Sequence, residues 1–453
     1  MIPVIFALAW PTMLEEFMQT AVQYIDTAMV GSLGTLATAA VGSTSTVNWL
    51  VGSSISAIGI GFLSYIARSF GAGDKESARR ASAQAVLAVI ISGILFTILT
   101  TSLSGIVPVW MQVDESIKET ASTYFLIIYA PMLPRAASII FGTVLRGAGD
   151  TKTPMVCGVI VNIINVILNF FLIYETRMIN VFGLEFKMLG AGLGVIGAGL
   201  ASAIAFTVGG ILITIAVFRH PTVSPKGYSL KPNPDVLRPC MKVAIPNMFQ
   251  RFTTSLGYVV FASMINSLGD VATAAHTIAN TVESAFYIPG YGMQSAAATL
   301  AGNTLGARDK KRMNELTTMI IIVEVLMMIV TGGLLFVFAP EMMRLFTDDS
   351  EVIGLGTTVL RMVALSEPIF GVAIVIEGIM QGVGKTVTPF VFNVIGMWGI
   401  RIVGTFICTT FFSLGLVSAW ACMIAHNIVL FFMFLVHWKR GKWMAEIDNN
   451  SGE

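Results

Sequence analysis

Twelve runs of about 20 predominantly apolar residues, the length of a membrane-spanning helix, constrain the fold of this chain more than any other feature. The runs lie at 3–31, 46–68, 84–106, 122–144, 155–175, 189–217, 240–264, 281–301, 318–340, 355–379, 390–412 and 415–436. They are continuously apolar rather than alternating, which predicts helices and not the strands of a barrel.

The composition of the chain indicates the same environment. Hydrophobic residues make up 55% of the 453 positions and charged residues only 12%, against about 25% charged in an ordinary soluble domain. The net charge of +1 argues against electrostatic binding to nucleic acid. No cleavable secretion leader is recognisable, and the four cysteines lie within or beside apolar runs, so neither a disulfide framework nor a metal cluster is expected.

The basic residues between the runs predict the orientation of the chain. With a cytoplasmic amino terminus, the cytoplasmic connections and the C-terminal tail hold nineteen Lys and Arg residues. The opposite side holds only Lys118, Arg177, Lys187 and Arg344. This asymmetry follows the positive-inside rule. We therefore expect a multi-pass protein of the cell inner (plasma) membrane with both termini in the cytoplasm.

The two halves of the chain repeat each other at an offset of 235 residues. SLGTLATAA at 32–40 matches SLGDVATAA at 267–275, and RGAGDTKTP at 146–154 matches QGVGKTVTP at 381–389. Because six spans return the chain to its starting side, the second copy enters the membrane in the same direction as the first. The predicted fold is an all-α integral membrane protein with twelve transmembrane helices in two six-helix bundles, related by a pseudo-two-fold axis along the membrane normal.

The duplication also predicts the domain boundaries. Residues 1–218 form an N-terminal lobe with helices 1–6, and residues 240–438 form a C-terminal lobe with helices 7–12. Between them, 219–239 is polar and rich in proline, which predicts a cytoplasmic linker, and 439–453 is a cytoplasmic tail.

Motifs for enzymatic chemistry are absent from the sequence. GVGKT at 382–386 looks like the end of a phosphate-binding loop, but that motif requires glycine at the position of Ile379. The four histidines lack metal-ligand spacing, and there is no nucleophile-elbow motif. We expect a protein that is not an enzyme, has no cofactor and takes energy from an ion gradient.

Ionisable residues inside the predicted spans are functional candidates, because a charge in the bilayer is costly unless it faces a cavity or a partner. They are Glu15, Glu16, Asp26, Arg135, Arg251, Glu283, Glu324, Arg361, Glu367, Glu377 and Arg401. Asp26 differs from the others because Asn165 and Asn169 on the fifth helix and Ser202 on the sixth lie at overlapping depths. These four residues form the predicted cation-coupling site. The alternative is a hydrogen-bond network that only packs the helices.

The duplication provides a test of this site within the sequence. At the offset of 235, Asp26 corresponds to Phe261, Asn165 to Ile400 and Asn169 to Gly404. If the polar residues were needed to pack a six-helix unit, both copies should have them, so the site is a specialisation of the N-terminal lobe. In the second lobe the acidic candidates are Glu283, Glu367 and Glu377, for which pairing within the structure is the alternative.

The stretch PTMLEEFMQTAVQYIDTAMVGSLG at 11–34, together with RGAGDTKTP and the second-copy GNTLGA, resembles the multidrug and toxic compound extrusion (MATE) family, in particular its bacterial NorM-type members. This resemblance covers nearly the whole chain. It implies a two-lobed antiporter that expels cationic organic compounds against inward sodium or proton flow. In that family the first-helix aspartate and polar residues of the fifth and sixth helices form a cation site, which by motif corresponds to Asp26, Asn165, Asn169 and Ser202.

The chain departs from the family pattern at two places. Some members have an aspartate at the position of Asn169, which disfavours a two-carboxylate sodium cage here. Others have acidic residues on the seventh helix and an aspartate at the position of Phe370, which makes a sodium site of that kind in the second lobe doubtful.

The substrate class and the coupling ion follow from the same residues. The 25 methionines and 29 phenylalanines offer adaptable apolar surface and aromatic faces that bind organic cations. We therefore expect multidrug efflux of cationic, aromatic compounds. A proton needs only Asp26, whereas Na⁺ also needs oxygen ligands, so a possible Na⁺ site comprises Asp26, Asn165 and Asn169. Both ions stay open, with Na⁺ favoured.

Two other functions remain as alternatives. A flippase for lipid-linked sugars needs a cationic cavity, which four arginines inside the spans could supply: Arg135, Arg251, Arg361 and Arg401. A passive channel would need no coupling ion. The partners expected for an antiporter are small organic cations and the lipid bilayer, with no nucleic acid, and the protein is expected to be a monomer.

Overall fold

The computed structural model of the chain describes residues 1–110, 115–181 and 184–444. The helices are α1 (Ile2–Gly31), α2 (Thr35–Gly71), α3 (Lys75–Leu103), α4 (Val107–Trp110), α5 (Lys118–Tyr129), α6 (Met132–Gly147), α7 (Lys152–Leu172), α8 (Gly194–Arg219), α9 (Pro234–Asn266), α10 (Asp270–Phe286), α11 (Ile288–Gly306), α12 (Lys310–Arg344), α13 (Ser350–Ala364), α14 (Glu367–Gly382), α15 (Val387–Val394), α16 (Val403–Phe406) and α17 (Leu416–Lys439). A π-helical segment, Ile395–Ile402, joins α15 to α16, and a second one, Ile407–Phe411, follows α16, so Val387–Phe411 is one continuous helix. A 3₁₀ turn, Lys442–Met444, follows α17. The all-α prediction is confirmed.

Every predicted span falls mainly on one helix or on consecutive helical segments. Among the described residues, seven helices are long and apolar enough to cross a bilayer, and two bent pairs raise that number to nine. The three remaining predicted spans fall on α1, α9 and the pair α10 and α11. Charged and small polar residues lower the mean hydropathy of these helices. Among these residues are Asp26, Arg251 and Glu283. Charged residues inside a span are the ones expected to have a function.

Helix breaks recur at the same place in the two halves. The pair α5 and α6 is bent by 48°, and the pair α13 and α14 by 55°. Prolines at the breaks explain the bends, because proline lacks the N–H that a helix interior needs. Pro131 precedes α6, and Pro368 lies in the first turn of α14.

The repeated sequence motifs form repeated turns. Gly34 and Gly269, which end the two SLG motifs, have φ values of 111° and 105°. Gly149 and Gly384 in the second pair of motifs have φ values of 83° and 78°. A positive φ is easily adopted only by glycine, so these positions need that residue to reverse the chain between spans. The duplication is thus present in the backbone as well as in the sequence.

A β-hairpin lies between α7 and α8, in the connection between the fifth and sixth predicted spans. Its strands are β1 (Glu175–Val181) and β2 (Leu184–Ala191), which pair antiparallel with Arg177 opposite Met188. The hairpin includes the last residue of the predicted fifth span and the first residues of the predicted sixth span. Apolar residues that belong to a strand had been attributed there to the neighbouring helices.

The chain divides into two compact units. The N-terminal unit consists of Leu14–Phe62 and Lys75–Leu237. Within it, α6 buries its apolar face against α3 and α8, and α7 packs along α8. The segment between α8 and α9 is fixed by Gln84, whose side chain donates to the Lys231 carbonyl at 3.0 Å and accepts from the Asn233 N–H at 3.0 Å.

The C-terminal unit consists of Met1–Met13, Leu63–Asp74 and the described chain from Arg238 onward. One of its apolar cores surrounds α11 and α14, and another joins α10, α13 and α17 around the fully buried Trp420. The predicted tail, 439–453, contributes the 3₁₀ turn, and its last part, 445–453, lies outside the described residues.

Candidate functional site

The four residues of the predicted cation site come together in the N-terminal unit. Asp26 lies on α1, five residues before the helix ends at Gly31, and its side chain is half-buried. Asn165 and Asn169 lie on α7 about one turn apart, so both amides project from one face of that helix. Ser202 lies on α8, and it is buried together with both asparagines.

A glycine allows the helices that carry these residues to approach closely. A Cβ atom at Gly197 on α8 would lie 2.3 Å from the carbonyl oxygen of Leu172 at the end of α7. No side chain larger than hydrogen fits at that distance. Small residues of this kind let the backbones of two membrane helices touch. The contact places Ser202 on α8 within hydrogen-bond reach of Asn165 on α7.

Both asparagines hydrogen-bond to the carboxylate. The Asn169 Nδ2 group donates to Asp26 Oδ1 at 2.5 Å. With its amide nitrogen turned toward Asp26, Asn165 donates to Oδ1 at 2.8 Å and lies 3.2 Å from Oδ2, and its oxygen accepts from Ser202 Oγ at 3.1 Å. Hydrogen bonds to an ionised group are about twice as strong as neutral ones. The carboxylate is therefore held in one position while it remains partly exposed to a ligand.

The donors at this site fit a hard cation better than a transition metal. Among the described residues, no group of three or more His, Cys, Asp and Glu side chains is placed to hold a metal ion. A hard cation takes carboxylate, amide and hydroxyl oxygens instead. Asn169 Oδ1 is buried without a hydrogen-bond partner, so it is an oxygen ligand still available next to Asp26. Na⁺ at the predicted site of Asp26, Asn165 and Asn169 would be held by the Asp26 carboxylate and Asn169 Oδ1, and Asn165 would offer its oxygen only by giving up its hydrogen bond to Asp26.

The C-terminal unit has an aromatic residue at the position equivalent to Asp26. Phe261 is 1% exposed, and its ring centre lies 4.0 Å from the guanidinium carbon of Arg401. The His276 ring meets Phe261 edge-on with the ring centres 5.7 Å apart. His276 Nδ1 also accepts from Trp420 Nε1 at 3.2 Å. The equivalent positions of the two units therefore differ in chemistry. Asp26 is a carboxylate, whereas Phe261 is an aromatic ring that covers the guanidinium of Arg401.

Of the three acidic candidates in the C-terminal unit, Glu377 is fully hydrogen-bonded. Its Oε1 accepts from Gln250 Nε2 at 2.9 Å and from Gln381 Nε2 at 3.1 Å, and its Oε2 accepts from Asn393 Nδ2 at 3.0 Å. Three amide donors replace the hydration of one carboxylate, which is the arrangement expected of a structural residue.

Glu283 and Glu367 lie in a different part of the unit, at helix breaks. Glu283 is buried on α10, one turn before that helix ends at Phe286. Glu367 is buried at the start of α14, and its Oε2 has no hydrogen-bond partner. Glu283 and Glu367 are close enough to interact electrostatically. The structure therefore separates Glu377 from the other two candidates.

The arginines inside the predicted spans lie beside aromatic or amide groups. The guanidinium carbon of Arg135 lies 4.7 Å from the ring centre of Phe206, and that of Arg361 lies 5.4 Å from the ring centre of Phe336. Arg251 Nε donates to Asn247 Oδ1 at 2.9 Å. Rings that cover a guanidinium satisfy part of its charge. This arrangement disfavours the cationic cavity that a sugar-lipid flippase would need.

Two further charged residues are buried in the C-terminal unit with polar atoms that lack a hydrogen-bond partner. Glu324 on α12 is 0% exposed, and both of its carboxyl oxygens lack a hydrogen-bond partner. Arg401, in the first π-helical segment, is 3% exposed, and its Nε also lacks a partner. Their position inside an apolar run was the only signal in the sequence. It did not indicate which other residues they would approach.

Comparison with known proteins places these features in a wider context. A family model described as MatE matches residues 11–171 and again residues 246–407. The Thermotoga maritima protein named "Probable multidrug resistance protein NorM" is 27% identical over 436 residues, covering 96% of this chain and 92% of that protein. The "Multidrug resistance protein NorM" of Photobacterium profundum is 25% identical over 405 residues, covering 87% and 84%.

A solved structure has the same fold. It is described as "Outward-facing conformation of a multidrug resistance MATE family transporter of the MOP superfamily", and it superposes with a TM-score of 0.88 at 22% identity, covering 98% of this chain and 96% of that one. The two family matches start 235 residues apart, which is the offset of the internal repeat.

Proposed function

Because this chain belongs to the MatE family, whose members among its relatives are named as multidrug resistance proteins, we propose that it is a secondary active antiporter. It exports cationic, aromatic organic compounds in exchange for Na⁺ or H⁺ and exposes its site alternately to the two sides of the membrane. It acts as a monomer in the inner (plasma) membrane, with both termini in the cytoplasm. Its partners are small organic cations and the lipid bilayer.

The geometry around Asp26 is the observation that supports this function. A single half-buried carboxylate, positioned by Asn165 and Asn169, can bind an inorganic ion or an organic cation but not both at full strength. In a site of low dielectric constant, a bound cation stabilises the ionised carboxylate and so opposes its protonation. Competition of this kind is the simplest way to exchange one cation for another.

Two abundant residue types support an aromatic substrate and a broad substrate specificity. Methionine and phenylalanine are abundant, with 25 and 29 residues. Methionine adapts its shape to different apolar surfaces, and aromatic rings attract a desolvated organic cation by about 0.5–2 kcal/mol each. A site that depends on such contacts discriminates weakly between compounds of similar size and charge.

The experiment that tests this function is uphill transport by the purified protein in proteoliposomes. The probe is a fluorescent aromatic cation such as ethidium, present at equal concentrations on both sides. An imposed Na⁺ or pH gradient should drive net movement of ethidium. Liposomes without protein and liposomes without a gradient are the controls. Movement only down an ethidium gradient would indicate a passive channel and would overturn the proposal.

A further inference from the structure

Two of the four cysteines meet where the last two spans of the C-terminal unit pack together. Cys408 lies in the π-helical segment Ile407–Phe411, and Cys422 lies on α17. Their Sγ atoms are 3.8 Å apart, and both side chains are half-buried free thiols. The other two cysteines, Cys157 on α7 and Cys240 on α9, are also free. The fold therefore brings two thiols into contact although the chain has only four cysteines in 453 residues.

The directions of the two side chains explain why the sulfurs lie at the same level. Cys408 lies three residues before the end of its π-helical segment, whereas Cys422 lies six residues after the start of α17. Helix side chains tilt toward the amino end of their helix. The Cys408 side chain thus tilts away from the connection 412–415, and the Cys422 side chain tilts toward it. The opposite tilts compensate for the different distances of the two residues from the connection.

A glycine lets α17 approach the preceding span at this point. A Cβ atom at Gly404 would lie 3.1 Å from Cys422 Sγ and 3.5 Å from Cys422 Cβ. Gly404 precedes Cys408 by four residues, so the two lie about one turn apart on the same side of their helix. Gly404 and Cys408 therefore both contact the Cys422 side chain. A larger residue at position 404 would displace it.

The backbone around Cys408 departs from a regular α-helix. The segment Ile407–Phe411 is π-helical, a rare conformation that is frequent at functional sites. Ser413 has a φ of 49°, and the N–H of Leu414 donates to the carbonyl oxygen of Cys408 at 3.0 Å. The connection thus folds back onto the turn that contains Cys408 and fixes the position of this residue.

A cavity of about 550 Å³ opens beside the connection. Its lining includes Thr409, the residue after Cys408, and the connection residues Ser413 and Leu414. In the proposed orientation the span at 390–412 runs outward, so the cavity lies at the outer end of the C-terminal unit. Disulfides form and persist on the outer side of a cell membrane. A small neutral disulfide has room to approach Cys408 from that side.

The chemistry of the pair suits a disulfide better than a metal ion. A structural zinc site has four ligands, and no group of three or more His, Cys, Asp and Glu side chains in the described part of the chain is placed to hold a metal. A disulfide needs only the two sulfurs, whose distance must fall from 3.8 Å to about 2.05 Å. Rotation of the two short side chains shortens this distance without moving a third residue.

The N-terminal unit ends its equivalent span without a cysteine pair. At the offset of 235, Cys408 corresponds to Ile173, and the hairpin of β1 and β2 follows that residue. In the second half the connection consists of residues 412–415 alone. The cysteine pair is therefore not needed to fold a six-helix unit. It lies where the second half has a short connection instead of the hairpin.

We propose that Cys408 and Cys422 form a redox-active thiol pair, which closes to a disulfide by exchange with a disulfide at the outer face and so ties the last two spans together. One cysteine, as the thiolate, attacks a sulfur of the external disulfide and expels one thiolate. The other cysteine thiolate attacks the mixed disulfide, forms the bond between Cys408 and Cys422 and expels the second thiolate. The two cysteines lose two protons, which the expelled thiolates take up, and two electrons, which reduce the external disulfide.

The pair does not depend on the proposed antiport, but its outer location rests on the proposed orientation. The sequence predicts no disulfide framework, and a single bond between neighbouring spans is not a framework. The structure alone shows that residues 408 and 422 are in contact.

Reaction of the purified protein with dithiodipyridine, a small neutral disulfide, tests the exchange. No Lys or Arg lies between Arg401 and Lys439, so one tryptic peptide, 402–439, contains both cysteines. In the wild type this peptide should become lighter by two hydrogen atoms and should carry no pyridylthio group. In Cys422→Ser the bond cannot close, so the peptide should keep one pyridylthio group on Cys408.

Cys157→Ser, which removes a half-buried cysteine outside the pair, is the matched control and should leave the closure of the bond unchanged. If Cys422→Ser does not fold, Cys408→Ser takes its place and should carry the group on Cys422. A wild-type peptide that stays unmodified, or that carries a pyridylthio group on both cysteines, overturns the proposal. A variant peptide that still becomes lighter by two hydrogen atoms overturns it as well.

Thermal unfolding tests whether the bond ties the two spans. A cross-link restricts the unfolded chain, so the oxidised wild type should unfold at a higher temperature than the reduced wild type. The same treatment should not raise the unfolding temperature of Cys422→Ser. Equal unfolding temperatures of the oxidised and reduced wild type would show that the bond does not stabilise this contact.

The state of the pair in cells tests the outer location. Cells that produce the protein are lysed in a denaturant with N-ethylmaleimide, which blocks free thiols before they exchange. The wild-type peptide 402–439 should contain the disulfide and no maleimide. Cys240, which is 1% exposed on α9, is the internal control and should be alkylated once the protein is denatured. A peptide from cells with maleimide on both Cys408 and Cys422 overturns closure of the pair at the outer face.

Discussion

The Nδ2 group of Asn169 donates a hydrogen bond of 2.5 Å to Asp26 Oδ1 across the contact between α7 and α1. This bond joins two residues 143 positions apart in the sequence. It fixes a half-buried carboxylate in one orientation, and several consequences can be measured.

Replacing Asn169 by alanine should weaken cation binding. The change removes the unpartnered Asn169 Oδ1 that is available to a cation as well as the donor that positions Asp26, and a hydrogen-bonded contact to a charged group is worth about 1.5–3 kcal/mol. We expect the apparent affinity for ethidium to fall by about tenfold or more, since about 1.4 kcal/mol corresponds to a factor of ten. Thr27→Ala, at an exposed position beside Asp26, should leave the affinity unchanged. Equal affinities of Asn169→Ala and the wild type in equilibrium binding would contradict a role for this donor.

Replacing Gly197 by alanine should separate α7 from α8. The added methyl group would lie 2.3 Å from the Leu172 carbonyl oxygen, so the helices must move apart. Overpacking of this kind costs about 1–3 kcal/mol. We expect a lower thermal unfolding temperature in detergent and reduced transport. Gly333→Ala on α12 is the control, because a Cβ atom there meets nothing within 4 Å. A normal unfolding temperature for Gly197→Ala would show that the contact is not tight.

The ion pair between Glu15 and Arg146 should show strong coupling in a double-mutant cycle. The two side chains meet at 2.6 Å and are only 22% and 17% exposed. Glu15→Gln leaves a poorly solvated arginine, which should cost about 1–3 kcal/mol, between the values for exposed and buried pairs. The second half of the chain has Gln250 and Gln381 at the equivalent positions.

The double variant with Gln at 15 and 146 should therefore be more stable than Glu15→Gln alone. Thermal unfolding of the wild type, the two single variants and the double variant gives the coupling energy. Strictly additive losses would mean that the two charges do not stabilise each other.

His220, at the end of α8, should make the protein sensitive to mild acid. Burial lowers the pKa of His220 below its ordinary value of 6.5, against the opposing effect of Asp150. Its Nδ1 accepts from the backbone N–H of Thr222 at 3.2 Å, which favours the neutral ring. Below a pH of about 6.5 the unfolded chain takes up a proton that the folded chain resists, so stability falls as the pH falls.

Asparagine at 220 preserves an acceptor for Thr222 but does not titrate. We expect His220→Asn to lose less stability than the wild type when the pH is lowered from about 7 to about 5. Thermal unfolding at a series of pH values measures the difference. Parallel curves for the two proteins would exclude His220 as the source of acid sensitivity.

The sequence was sufficient to predict the helices, because each span is a long apolar run and the bilayer leaves few other structures available. The repeat was also visible in the sequence, and in the structure its glycines at 34, 149, 269 and 384 lie in turns with a positive φ. The sequence did not predict the hairpin of β1 and β2. Its last residues, 189–191, continue the apolar run of α8, and charged residues such as Arg177 and Lys187 interrupt the apolar pattern of the rest, so nothing local indicated a strand.

The candidate sites, too, could be predicted only where the local sequence carries the information. Asp26, Asn165, Asn169 and Ser202 could be grouped by depth alone, because they lie on spans of one lobe at similar distances from the membrane surface. The surroundings of Glu324 could not be predicted. Its carboxyl group reaches Gly290 and Gly371 only because α12 contacts α11 and α14 there, and such a contact depends on how the helices are rotated and broken.

Transport by wild type and Asp26→Asn in proteoliposomes tests the central claim most directly. Ethidium movement is measured under a Na⁺ gradient at fixed pH, and then under a pH gradient without Na⁺. The amide keeps the size of the side chain but cannot ionise, so whichever gradient drives the wild type should drive no ethidium movement in the variant, while its folding and its yield remain normal. Full gradient-driven transport by Asp26→Asn would contradict the account and reduce the contacts among Asp26, Asn165 and Asn169 to helix packing.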